Sequence, residues 1–156
     1  MPYSIPNYDS WQTIPSGASD LRGGIVARLK SDATVVSLVG AKVFPLRVPE
    51  NTLAPAVVYQ VLSNPRAHSL DGPIGLAAAT VKLGAVSGSF VETVALARAF
   101  RVSLDGFTGT LAGGTRVEET VLESETDVYD PPVDDSDVGS FWTVQTYLFR
   151  FKESLT

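Results

Sequence analysis

Apolar residues first recur at helical spacing after Ser19 and Asp20, where Leu21, Ile25, Val26 and Leu29 share one side of a 3.6-residue period. With Ser19 or Asp20 as N-cap the spacing predicts a helix over 20–30, weakened but not forbidden by Gly23 and Gly24. Asp32 is placed to cap a second short helical turn carrying Val35, Val36, Leu38 and Val39, which Gly40 ends. The pattern then changes to a period of two. A short strand is expected over 42–46. After the Pro-bounded loop RVPENTLAP comes a stronger strand over 56–63, apolar on both faces and therefore inside a sheet. Residues 64–75, with two Pro and two Gly, read as a connection. Over 78–87, Ala79, Val81, Leu83 and Ala85 alternate with Thr80, Lys82 and Gly84, as in a strand with one wet face.

The clearest helix is SGSFVETVALARAFRVSLDG, with Ser89 as N-cap, Glu92 completing a capping box and Gly106 past the end. Its expected inner face is Phe90, Val94, Ala97, Phe100 or Arg101, and Leu104, with Glu92, Arg98 and Arg101 able to stay wet. Segments 108–111 and 115–125 read as two strands around Gly113-Gly114, with Val117, Glu119, Val121 and Glu123 on one face of the second. Residues 127–139 hold five Asp and two Pro and read as a long acidic loop, and 140–152 as a long central strand. The order predicts an α+β fold, a mostly antiparallel sheet with two main helices packed on one face. Residues 1–17, with three Pro and the aromatics Tyr3, Tyr8 and Trp11, read as an extended arm before a single domain over 18–156.

Composition narrows what such a domain does. At 156 residues the chain is large enough to bury one core, and no apolar run approaches the roughly 20 residues of a bilayer-spanning helix. The N-terminus has neither the basic start nor the apolar centre of a secretory signal, which leaves folding in a cytoplasm as the expectation. With no Cys and one His, thiolate catalysis and Cys-based metal sites are excluded. A net charge of −5 disfavours a grip on phosphate backbones.

Candidate chemistry is sparse. His68, Ser69 and Asp71 lie too close in sequence on one loop to converge as a hydrolytic triad. Asp134, Asp135 and Asp137 offer oxygen ligands, but a calcium loop starting at Asp135 would put Thr146 where its last carboxylate belongs, so no metal site is expected. Among Glu118, Glu119, Glu123 and Glu125 the last three are expected on one strand face, with no aromatic sugar platform nearby in sequence. No catalytic residue and no cofactor site emerges, and the chain reads as a non-enzyme acting through surfaces offered to other proteins.

Read in order, LVG at 38–40, VFPLRVP at 43–49, APAVVYQ at 54–60, HSLDGP at 68–73, SLDGFTGTL at 103–111 and ETDVYDP at 125–131, then a long aromatic strand, resemble the tail completion or tail terminator family of tailed phages. Similar proteins serve gene-transfer particles. The resemblance covers roughly residues 20–152 and implies a homo-oligomeric ring, commonly a hexamer, on the head-proximal end of the tail tube. Such a ring stops tube polymerisation, joins the tail to the head connector and lets DNA pass, in a virion assembled in the host cytoplasm. A connector stopper or a tube subunit of the same machine is the alternative, and a carboxylate-dependent hydrolase a weaker one. A head-to-tail ring needs two different patches per subunit, which nominates Tyr3, Tyr8, Trp11, Glu119 and Glu123. Asp127, Asp130, Asp134, Asp135 and Asp137 are nominated to line the passage, where acidic groups repel phosphate, or to face a partner on the rim.

Overall fold

The computed structural model describes residues 21–52, 54–132 and 139–153; the aromatic arm and the Asp134, Asp135 and Asp137 cluster lie outside them. Among the described residues three helices, α1 (Leu21–Ser31), α2 (Ala33–Val39) and α3 (Phe90–Leu104), accompany seven strands. The strands are β1 (Val43–Pro45), β2 (Ala56–Ser63), β3 (Arg66–Ser69), β4 (Gly72–Ser87), β5 (Gly109–Thr110), β6 (Arg116–Asp130) and β7 (Ser140–Lys152). They form one sheet in the order β1-β2-β4-β7-β6-β5, with β3 paired to the outer half of β4.

The α+β class holds, but the sheet is mixed rather than mostly antiparallel, because β1 pairs in parallel with β2. The ten residues 46–55 carry the chain back to start β2 in the same direction. Leu46 (φ 68) and Asn51 (φ 63) take the left-handed backbone needed for that return. The short helical turn expected after Asp32 forms as α2 beside the two main helices, and the expected connection over 64–75 is instead the β3–β4 hairpin.

Local signals set several ends. The Asp32 carboxylate accepts from the amides of Thr34 (3.0 Å) and Val35 (3.1 Å), and Gly40 closes α2 at φ 61. Asp32→Ala is expected to lower stability by about 1 kcal/mol, measured by urea denaturation. The expected capping box at α3 does not form: Ser89 makes no side-chain cap bond, and the Ser87 hydroxyl donates to Glu92 (2.5 Å) while accepting from the Ser89 amide (3.1 Å).

All three helices share one core with the odd-numbered positions of β4 and β7, among them Val81, Leu83, Tyr147, Phe149 and Phe151. On α3 the expected Ala97, Phe100 and Leu104 are buried, but the inner face is offset toward Thr93, Leu96 and Ala99, which leaves Phe90 and Val94 exposed. Backbone approach is closest at Gly24, where a Cβ would lie 2.6 Å from Leu111 Cβ; the glycine that weakens α1 is what lets it reach that loop. On the opposite, helix-free face, Phe44, Ala56 and Val86 form a smaller cluster with Val48 and Trp142.

Candidate assembly surfaces

The β6–β7 hairpin dominates the sheet. Arg116 faces Lys152 at one end of the ladder, and Asp130 faces Ser140 at the other. The register shifts twice, between Val117 and Glu119 and between Leu122 and Ser124, leaving Glu118 and Glu123 as extra residues on β6. Each bulge exchanges the faces of the residues that follow. Glu119 therefore pairs with Arg150 on the helix-free face, while Glu125 pairs with Gln145 on the helix side. The single acidic face expected for Glu119, Glu123 and Glu125 does not exist. Asp127 to Asp130, expected in a loop, are strand residues.

Among the described residues, only the first half of β6 is covered on its outer edge. Strand β5 pairs there with Arg116 and Val117. The loop after α3 then takes over: the Gly106 amide donates to the Thr120 carbonyl (2.9 Å), the Thr108 hydroxyl to the Glu118 carbonyl (3.2 Å), and the Leu122 amide to the Asp105 carboxylate (3.0 Å). From Glu123 to Asp130 all eight residues are exposed, and among the described residues no strand pairs with that side.

Beneath this open edge lies a polar staple. Gln145, fully buried, donates to the Ala97 carbonyl of α3 (2.9 Å) and to the Glu125 carboxylate (2.7 Å), and accepts from the Tyr147 hydroxyl (2.5 Å). The Thr143 hydroxyl donates to Asp127 (3.0 Å) and lies 3.0 Å from the Thr93 hydroxyl. Burial holds the Tyr147 phenol well above the usual tyrosine range, reinforced by the negative charges of Asp105 and Glu125. Through Gln145 and Thr143 the staple links Glu125 and Asp127 to α3. A Gln amid the apolar alternation of β7 was its one signal in the sequence.

The helix-free face carries two concavities. One, of about 350 Å³, is lined by Leu46, Val58, Lys82, Val128, Asp130 and Trp142 among others. The second, of about 490 Å³, lies toward β3 and is lined by Arg66, Leu76, Glu118 and Arg150 among others. Exposed ion pairs border it, Glu119 with Arg150 and Glu118 with both Arg116 and Lys152 (3.7 Å each). Pairs this exposed add little stability but fix side-chain directions.

His68, Ser69 and Asp71 do not converge as a catalytic group. The His68 ring Nδ1 lies 3.2 Å from the Arg66 carbonyl, and the Ser69 hydroxyl bonds to the Gly72 carbonyl and Asp71 amide, as turn groups do. Of the nominated assembly residues the structure places Glu119, Glu123, Asp127 and Asp130 on β6, with Asp127 held on the helix side and Asp130 on the helix-free side.

Residues 23–142, from α1 into the last strand, match the family model of the Tail completion protein gp17. No curated protein matches the chain. Among solved structures, a chain of the "Virion of native gene transfer agent (GTA) particle" superposes with a TM-score of 0.66 at 19% identity, covering 85% of this chain and 95% of that chain. At that identity the likeness speaks to the fold.

Proposed function

The chain belongs to the tail completion protein gp17 family, a family of structural virion components that act in tail assembly, and we propose that it terminates the tail. In this reading copies of the chain close into a ring, commonly of six, on the head-proximal end of the tail tube. The ring stops further tube subunits from adding and presents its other face to the head–tail connector. Its work is mechanical rather than catalytic. The observation that carries the proposal is the family match over 120 of the 156 residues, 23–142.

Charge supports the passage of DNA. Nine Asp and Glu fall between Glu118 and Asp137, with no Lys or Arg among them. Acidic groups around a channel repel phosphate and keep the passing duplex from sticking. Asp130, on the helix-free side at the end of the hairpin, and Asp134, Asp135 and Asp137 beyond it take this role, while Tyr3, Tyr8 and Trp11 supply contacts to a neighbouring subunit.

The test is electron microscopy of particles assembled without this protein. Tails of uncontrolled length and heads lacking tails are the expected result, and tails of normal length joined normally to heads would sink the proposal. A tube subunit of the same machine would place labelled copies along the whole shaft, whereas a terminator places them at one end.

A further inference from the structure

We infer that the concavity at Trp142, on the helix-free face, receives the aromatic arm, residues 1–17, of a neighbouring copy of this chain. The inference rests on the ring reading above and names the contact that links one subunit to the next.

Trp142 makes the groove. A Cβ at Gly84 would lie 3.1 Å from its indole, so the ring packs directly over the bare backbone of β4. Leu46, Val58, Val128 and Val144 continue an apolar lining around about 350 Å³, within the range of pockets that hold a ligand or an anchor side chain. Leu46, Val128 and Tyr129 are exposed, and the core that the helices cover lies on the other face of the sheet. Contiguous apolar surface left open in this way marks a contact site.

The arm has the matching chemistry. Residues 1–17 hold Tyr3, Ile5, Tyr8, Trp11 and Ile14 with three Pro and no Lys or Arg. Tyr and Trp fill apolar hollows at low entropic cost, and Pro narrows the backbone freedom lost on docking. Lys82 is the one cation lining the groove and makes no ion pair among the described residues. Asp9, next to Tyr8, is its counterpart on the arm. Gln60 and Asp130, also in the lining, offer acceptors for the Tyr8 hydroxyl and the Trp11 N–H.

Reach favours a neighbour's groove over the chain's own. Helix α1 packs through Gly24 against Leu111, beside the Arg116–Lys152 end of the ladder and on the helix side of the sheet. The groove is on the other face and nine residues along β7, about 30 Å from Phe151 to Trp142. The ten steps from Leu21 back to Trp11 span at most about 33–36 Å, which leaves little to round the sheet and seat the indole in the same subunit. The root of the arm and the groove are thus unlike patches at opposite ends of the domain. Contacts between them run head to tail, the arrangement that closes into rings.

The chain has no Cys, so an introduced pair reports the contact cleanly. When Tyr8→Cys copies are assembled on tail tubes together with Val128→Cys copies, mild oxidation is expected to give the 8–128 disulfide, identified by mass spectrometry of the linked peptides. In that mixture the bond can join only two different chains. A Tyr8→Ala/Trp11→Ala variant, shown to be folded by its circular dichroism and melting curve, is expected to self-associate about tenfold or more weakly, since buried Tyr and Trp anchors carry much of a contact's energy. Multi-copy assemblies without the 8–128 bond would overturn the docking while leaving the ring intact. So would an arm variant that assembles like the wild type, or a Tyr8→Cys/Val128→Cys double variant in which the bond forms only within single chains. Failure of copies to associate at all, alone or on tubes, would overturn both the contact and the ring.

Discussion

Phe100→Ala is expected to lower the unfolding free energy by about 3–5 kcal/mol, the largest effect of any single truncation proposed for this domain. Phe100 is wholly inaccessible and sits where α3 meets both the helix pair and the sheet. Its loss removes the transfer free energy of the ring and leaves a cavity that three elements cannot close together. Against a typical total of 5–15 kcal/mol, that is a substantial fraction of the fold's stability. Urea denaturation should show the midpoint falling with an unchanged slope. The informative comparison is Phe90→Ala on the same helix. Helical spacing puts both rings on one face, yet Phe90 is 42% exposed and packs mainly edge-on to Phe141 at 6.0 Å. Its truncation is expected to cost about 1 kcal/mol. Equal costs for the two would mean that α3 is rotated relative to the packing described here.

Gln145→Met keeps the volume of the side chain and removes its polar groups, and is expected to cost about 3 kcal/mol. The reason is what remains behind: the Ala97 carbonyl loses an extra donor, Glu125 loses a charge-assisted bond, and the Tyr147 hydroxyl is left buried without its acceptor. Tyr147→Phe removes the last of these orphans. The double variant should therefore be less destabilised than the sum of the singles, by about 1 kcal/mol or more in a double-mutant cycle. Strict additivity would show that the staple is not one network.

Much of this molecule is legible residue by residue. The Asp32 cap and Gly40 stop delimit α2, because a cap needs only its own neighbours in the chain. Strand β2 over Ala56–Ser63 and strand β7 over Ser140–Lys152 announce themselves through β-branched and aromatic content, and β7 is indeed central. The paucity of catalytic chemistry is likewise compositional: one His and no Cys leave few reactions open. The ordered motifs that resemble tail completion proteins were readable for the same reason, and the family match extends over them.

What lay beyond reading depended on partners distant in the chain. A bulge is a mismatch in count between two strands, so Glu118 and Glu123 become extra residues only once β7 is alongside; with them the faces of Glu119 and Glu125 separate. The acidic stretch from Asp127 looked like loop because charge and Pro131-Pro132 dominate its composition, yet pairing with Ser140 to Thr143 makes its first four residues strand. Helix α3 turned because Thr93 and Ala97 meet Thr143 and Gln145, contacts no helical periodicity encodes. Spacing along the chain therefore sets which elements form and roughly where they end. Which face each side chain takes, and which edge of the sheet is left open, is set by register between strands, a property of pairs that appears only when the chain is folded.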